Sequence, residues 1–145
     1  MFQVYSAAFI GEFRKVAGIE FIKSLLDRGE LRQSRWNLLS DNFNKQLKEV
    51  EFEFIEDDFL LNGFWSEGTF IFLHWTAFSK DQRHTIAKLM ASCEEGTHVI
   101  TLTTPIPGND FEVLVSDTCD TSWGKVEFFF QEKITPAVPR VTAPN

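Results

Sequence analysis

Several residue types are scarce in this sequence, and each scarcity argues against a class of protein. Two cysteines, Cys93 and Cys119, are too few for a disulfide framework and form no Cys-x-x-Cys pair, which favours a reduced, intracellular compartment. The three histidines have no metal-binding spacing with each other or with the cysteines. None of the eight glycines stands in a Gly-x-Gly pattern, so the usual nucleotide-binding glycine loop is missing. No Gly-x-Ser-x-Gly nucleophile motif occurs either.

Long apolar runs and positive charge are also lacking. No run approaches the ~20 apolar residues that cross a membrane, so no membrane partner is expected. The segment 1–13 contains Glu12 and has no basic region ahead of its apolar run, unlike a secretory signal. The formal net charge of -7 argues against direct nucleic-acid binding, which needs clustered lysine and arginine. This charge suits a basic protein partner, or it serves only solubility.

What is abundant is apolar and aromatic. Hydrophobic residues make up 43% of the 145 residues, and sixteen of these are phenylalanines. This composition predicts a single globular domain, at residues 1–135, with most of the aromatic rings in its core. The proline-rich segment 136–145 is expected to be a flexible tail.

Hydrophobic periodicity predicts alternating helices and strands. Residues 2–12 are apolar nearly all round and predict a buried helix. Further helices are expected in parts of 22–48 and from a cap formed by Ser79 and Gln82 to about Cys93. The expected strands cover residues 15–21, 50–60, 69–73, 97–103, 111–115 and 125–130. This order predicts an α/β fold whose sheet is mostly parallel, with a C-terminal antiparallel hairpin.

Acidic residues follow the first two predicted strands. Glu20 ends the first strand, where a carboxylate can accept hydrogen bonds from ribose hydroxyls, or can cap the helix that follows. Asp57, Asp58 and Phe59 end the second strand. An aspartate there could accept a hydrogen bond from an adenine amine with Phe59 against the ring, or the group is a solvated acidic turn.

His74, Trp75 and Thr76 follow the third predicted strand. A histidine at a strand end can bind a substrate or act as a base, although such a residue is more often partly buried and hydrogen-bonded. The aromatic rings of Trp75 and Phe78 can stabilise a cation, or they belong to the core.

Five segments resemble motifs of class I S-adenosylmethionine-dependent methyltransferases. They are Ala7-Ala8-Phe9 with Phe13 to Glu20 (FRKVAGIE), Phe54 with Asp58-Phe59-Leu60, Phe70 to Phe78 (FIFLHWTAF), Glu95 to Leu102 (EGTHVITL), and Ser122-Trp123-Gly124 with the strand after it. Within that class the sequence is most similar to the disruptor-of-telomeric-silencing type, the non-SET histone-lysine methyltransferases. The resemblance implies a Rossmann-like sheet and methyl transfer to a protein, with lysine as the candidate acceptor.

The resemblance also implies roles for individual residues. S-adenosylmethionine would be the cofactor; Glu20, Phe21, Asp57, Asp58 and Phe59 would bind it, and His74, Trp75 and Thr76 would line the methyl-transfer pocket. The family usually has Asn at the position of His74. Because the glycine loop is missing, the alternative is a non-catalytic methyltransferase-like interaction or remnant domain. A nicotinamide-binding domain is a third hypothesis, against which the hairpin and the missing loop both argue.

The largest departure from the family is at the start of the chain. By the resemblance, the first, central strand and the glycine loop are missing from this sequence. Without this strand, the two strands on either side of it would have unpaired backbone groups, each of which costs ~1–3 kcal/mol when buried. Three solutions are open: the chain belongs to a longer polypeptide, the segment from Phe2 to Phe9 fills the gap, or a second copy supplies a strand in a homodimer.

Overall fold

The chain forms two compact units, and each has its own sheet. The computed structural model describes residues 2–28, 31–32, 35–36, 50–61 and 63–138. The N-terminal unit comprises residues 1–62, and the C-terminal unit comprises residues 63–145.

The N-terminal unit contains a helix and a two-stranded parallel sheet. Helix α1 covers Phe2–Ile10, and the strands are β1 (Lys15–Glu20) and β2 (Glu51–Glu56). Residues 23–28 are also helical. The ring of Tyr5 lies 5.2 Å from the ring of Phe52, so helix α1 packs against this sheet through aromatic contacts.

Helix α1 differs from its prediction in its burial. Tyr5 and Ala8 are buried, but Phe9 and Ile10 are 68% and 82% exposed, so the expectation of a wholly buried helix is wrong. A helix packed on one side of a sheet buries one stripe of residues and leaves the rest to solvent. The segment from Phe2 to Phe9 is helical, as predicted, and the suggestion that it fills the gap left by a missing strand stays a prediction.

The C-terminal unit is built on a four-stranded mixed sheet. Its elements are a 3-10 helix (Phe64–Glu67), β3 (Phe70–Leu73), helix α2 (Lys80–Met90), β4 (His98–Leu102), β5 (Phe111–Thr121) and β6 (Gly124–Lys133). The strand order is β3-β4-β6-β5. Strands β3 and β4 are parallel, whereas β6 runs antiparallel to both of its neighbours. The predicted α/β class with a C-terminal antiparallel hairpin is confirmed. The expectation of one mostly parallel sheet is wrong: the described strands form two sheets, with two parallel and two antiparallel pairings.

Helix α2 begins at the predicted capping box. The Ser79 hydroxyl accepts a hydrogen bond from the Gln82 N–H at 3.2 Å, and the Gln82 side chain accepts one from the Ser79 N–H at 2.8 Å. Each contact satisfies a backbone donor that the first turn would otherwise leave unpaired. Ile86 and Met90 are fully buried and form the inner face of the helix.

The hairpin of β5 and β6 is longer than predicted. The strands pair continuously up to Thr121 and Gly124, with a bulge at Leu114. The prediction ended the strands too early because polar residues such as Thr118 and Asp120 show no apolar alternation. Backbone pairing with the neighbouring strand outweighs the weak strand propensity of these residues. Gly124 has a φ of 130°, which a residue with a side chain rarely adopts.

The sheet of the C-terminal unit has one buried face. Ile71, Val99 and Thr101 on this face are buried, whereas Phe70 and Phe72 on the opposite face are each 39% exposed. The expectation that most aromatic rings lie in the core is wrong: among the described residues, the buried rings are those of Tyr5, Trp75 and Phe111.

Strands β1 and β3 belong to different sheets. They do not pair with each other in the described ranges, and the expectation of a further strand stays a prediction. The helical positions Leu39, Phe43 and Leu47 lie outside the described residues, as do residues 139–145 of the predicted tail. Residues 136–138 are described, and the Val138 N–H donates to the Ala91 carbonyl at 2.9 Å. In the described part of the chain, no helix is both long and apolar enough to cross a membrane.

Candidate functional site

The carboxyl end of the N-terminal sheet presents a carboxylate from each strand. Glu20 and Glu56 end β1 and β2 in register. One oxygen of Glu20, Oε1, accepts a hydrogen bond from the Ile22 N–H at 3.0 Å. Its other oxygen has no hydrogen-bond partner among the described residues. Glu20 therefore fixes the start of the following helical residues and still offers an acceptor to a ligand.

The acidic turn after β2 is shaped by its own carboxylates. Asp58 accepts a hydrogen bond from the Leu60 N–H at 2.9 Å, and Asp57 accepts one from the Asp58 N–H at 2.7 Å. Aspartate commonly forms such turns with the backbone two residues on. This turn ends the strand at Glu56, four residues before the predicted boundary at residue 60.

Lys23 introduces a cation at this acidic edge that the sequence analysis did not identify. Its amine lies 3.1 Å from Glu56 Oε2 and 3.6 Å from Asp27 Oδ1. The hydrogen bond to Glu56, with the nearby Asp27 charge, raises the pKa of Lys23. The spacing of four residues between Lys23 and Asp27 was a signal for one of these contacts.

The residues at this edge carry groups that could hold the adenosine half of a nucleoside cofactor. Glu20 offers a carboxylate oxygen, which suits a ribose hydroxyl. Phe21 is 74% exposed and Phe59 is half-buried, and each directly follows an acidic residue in the sequence. The described N-terminal unit therefore has a carboxylate and aromatic rings for the adenosine part of such a cofactor.

Trp75, which follows β3 in the C-terminal unit, is a core residue. Its side chain is fully buried. The indole N–H donates to the carbonyl oxygens of Leu102 and Thr104, at 3.0 and 3.3 Å. The ring therefore ties the end of β3 to the end of β4, and it presents no surface to a ligand. This matches the core interpretation of the residue.

Arg83 holds the segment around Trp75 in place. Its guanidinium lies 5.9 Å from the centre of the Trp75 ring and donates to Thr104 Oγ1 at 3.0 Å. It also donates to the Thr76 carbonyl at 3.3 Å. The Thr76 hydroxyl is buried and has no hydrogen-bond partner among the described residues. Thr76 is thus held through its backbone, and Arg83 is a structural residue that sequence analysis missed.

A buried polar network fixes the loop after β4. The Thr101 hydroxyl donates to the Thr104 carbonyl at 2.8 Å and to the Gln131 side chain at 3.3 Å. The same Gln131 oxygen accepts from the Ile106 N–H at 3.0 Å. Between these anchors Thr103 adopts a φ of 71°, which is uncommon for a residue other than glycine. The carboxyl edge of β3 and β4 is therefore a pre-formed surface.

His74 is the exposed member of the predicted pocket. Its ring lies 5.4 Å from the ring of Trp123, which comes from the turn between β5 and β6. Trp123 is itself 60% exposed. No local pattern in the sequence links these two residues, because the contact depends on the whole sheet. In the described part of the chain, no group of three acidic, histidine or cysteine side chains is placed to hold a metal ion.

Comparison with known proteins identifies the fold. No family model matches the sequence, and no curated protein is similar to it. Among solved structures, the chain is similar to a protein from Haemophilus influenzae that is provisionally named a methylase, with a TM-score of 0.54 and 14% identity. The match covers 84% of this chain and 74% of that protein. This chain has a methyltransferase-like fold.

The predicted site residues lie at the carboxyl ends of the strands in both units. In open α/β sheets, ligands bind beyond the carboxyl ends of the strands. Glu20 and Asp57 lie at this end of the N-terminal sheet, and His74 and Thr76 lie at the corresponding end of the C-terminal sheet.

Proposed function

We propose that this chain is an S-adenosylmethionine-dependent methyltransferase domain that acts on a lysine of a basic protein. The observation that carries the proposal is the methyltransferase-like fold, together with a Glu20 oxygen that remains available at the carboxyl end of β1. An acid at this place in a nucleotide-binding sheet has a ready chemical role, because ribose carries two adjacent hydroxyl donors.

The described residues would hold the adenosine part of the cofactor. Glu20 accepts from the ribose hydroxyls, and Asp58 accepts from the adenine amine. The rings of Phe21 and Phe59 pack against the base. Asp57 shapes the turn that presents Asp58. S-adenosylmethionine supplies the reactive group, a methyl carried on a positively charged sulfur.

Methyl transfer requires mainly that the acceptor be aligned with the sulfur–methyl bond. His74 is exposed at the end of β3 and can contact an acceptor directly. Thr76 is held by Arg83 through its carbonyl, and Trp75 holds the edge itself. In this proposal His74 touches the substrate, whereas Trp75 positions the backbone on either side of it.

The charge of the chain supports a basic acceptor. A formal net charge of -7 repels nucleic acid and attracts lysine-rich segments. The resemblance to non-SET histone-lysine methyltransferases points to the same acceptor chemistry.

A second function has its own support. The sequence has no Gly-x-Gly loop, and Trp75 is buried rather than lining a pocket. Both features favour a methyltransferase-like domain that binds a partner without catalysis. The two functions differ in whether the chain transfers a methyl group.

A methyl-transfer assay tests the proposal. The purified chain is incubated with S-adenosylmethionine labelled in the methyl group and a lysine-rich peptide, with an arginine-rich peptide as the control acceptor. Label in the lysine peptide that falls with Glu20→Gln supports the methyltransferase. The Gln side chain keeps an acceptor for the Ile22 N–H, so this variant should fold. Absence of label in either peptide, from folded protein, favours the non-catalytic domain.

A further inference from the structure

The outer part of the β5–β6 hairpin extends beyond the sheet. Leu102, the last residue of β4, pairs with Phe128. Residues 117–127, which we call the distal hairpin, therefore begin level with the last residue of β4 and continue past its carboxyl end. One further hydrogen bond, from the Thr103 N–H to the Glu127 carbonyl at 2.8 Å, ties the base of this segment to the loop after β4. The distal hairpin thus projects over the edge where ligands of α/β sheets bind.

Trp123 occupies the tip of the distal hairpin, beside His74. Its ring lies 5.4 Å from the His74 ring, with 36° between the ring planes. The turn is held by the Thr121 hydroxyl, which donates to the Gly124 carbonyl, and by the left-handed φ of Gly124. Even so, 60% of Trp123 remains exposed. A large exposed ring held at a ligand-binding edge is a typical recognition element.

The distal hairpin is acidic around this ring. Asp117, Asp120 and Glu127 are exposed, and the single basic residue of the segment is Lys125, so its net charge is -2. Lys125 lies 3.2 Å from Asp120, so its charge is already compensated. Asp117 pairs with Phe128, on the half-exposed face of the sheet. A cation approaching Trp123 would therefore meet negative charge that no local lysine neutralises.

We infer that the distal hairpin is a docking site for a peptide segment that carries lysine or arginine. The cation of the peptide lies over the face of Trp123, an arrangement that aromatic rings favour, and Asp117 attracts it electrostatically. The His74 ring, whose centre lies 5.4 Å from that of Trp123, also limits the orientation of the Trp123 ring. A nucleic acid would also stack on an exposed ring, but the phosphates would be repelled. The assignment of this peptide as the methyl acceptor rests on the proposed function; the docking itself does not.

Binding of an oligolysine peptide to the full chain tests the inference, with an oligoglutamine peptide of the same length as the neutral control. Isothermal titration is the readout, because it does not depend on tryptophan fluorescence. Trp123→Ala is expected to weaken oligolysine binding about two- to fivefold, the effect of losing an exposed cation–π contact. Asp117→Asn should weaken it about twofold, with a smaller effect at high salt.

The matched control is Glu112→Gln, which removes an exposed acid from the opposite end of the same strand, on the same face of the sheet. It should leave binding unchanged. Equal losses in Glu112→Gln and Asp117→Asn, or unchanged binding in Trp123→Ala, would overturn the inference, because binding would then follow net charge alone. Oligolysine binding without binding of S-adenosylhomocysteine would support the docking site and reject the proposed function. Binding of S-adenosylhomocysteine without oligolysine binding would support the proposed function and reject the docking site.

Discussion

Replacing Trp75 by phenylalanine separates its structural role from a role in the pocket. The buried indole N–H donates to two carbonyl oxygens. Loss of a hydrogen bond of this kind costs about 1 kcal/mol. Phenylalanine also leaves part of the ring's volume empty, which costs about 1–2 kcal/mol in a core that does not collapse. We therefore expect Trp75→Phe to lower the free energy of unfolding by about 2–3 kcal/mol.

The assay is urea denaturation followed by far-ultraviolet circular dichroism. With a denaturant slope of about 1–3 kcal/mol per molar urea, the midpoint should fall by roughly 1 M or more. Trp123→Phe is the matched control: it makes the same chemical change at a tryptophan that is 60% exposed. Its unfolding free energy should stay within about 0.5 kcal/mol of the wild-type value.

The reasoning fails if Trp75→Phe is as stable as the control. Such a result would mean that Trp75 spends its time outside the core, where it could line a pocket as the resemblance implies. A large loss of stability, by contrast, assigns the residue to the contact between the ends of β3 and β4.

Three further predictions concern other parts of the chain. Burial raises the pKa of Tyr5, and the charge of Arg32 lowers it to a smaller extent, so the absorbance of this single tyrosine should titrate above pH 10.0 in the folded protein and at lower pH after unfolding. Because the folded state holds the proton more tightly, the free energy of unfolding should decline as pH rises through this range. A titration midpoint that denaturant does not change would contradict the burial of Tyr5. Ser79→Ala removes the helix cap and should cost about 1 kcal/mol in thermal unfolding, and an unchanged melting temperature would show that the capping box contributes nothing. The Thr69 carbonyl accepts a hydrogen bond from the His98 N–H of β4, so by the alternation of a strand the N–H of Phe72 points away from β4. If a second copy supplies a strand at this edge of β3, light scattering should show a dimer that Phe72→Pro converts to a folded monomer. A monomeric wild type would reject the pairing.

Local patterns predicted the parts of the fold that depend on neighbouring residues. The capping box of Ser79 and Gln82 is a short-range signal, and the structure has it as expected. The hairpin turn before Gly124 and the antiparallel pairing around it were predicted for the same reason. These features need only a few consecutive residues to agree.

Features that depend on distant partners could not be predicted. Periodicity alone cannot tell whether an aromatic residue is in the core or in a pocket, and only the carbonyls of Leu102 and Thr104 make Trp75 a core residue. The contact of His74 with Trp123 needs the order of the strands, because the two residues are far apart in the sequence. The partial exposure of Phe70 and Phe72 likewise depends on which face of the sheet is covered.

Cofactor binding is the most direct test of the account. Isothermal titration measures S-adenosylhomocysteine against the wild-type chain, Glu20→Gln, and Glu12→Gln as a control at an exposed acid of the same unit. The account predicts binding to the wild type and to Glu12→Gln, with a loss of about 1–2 kcal/mol in Glu20→Gln, which is roughly five- to thirtyfold in affinity. No binding by folded wild-type protein, or equal binding by all three, would contradict the assignment of Glu20 to a cofactor site.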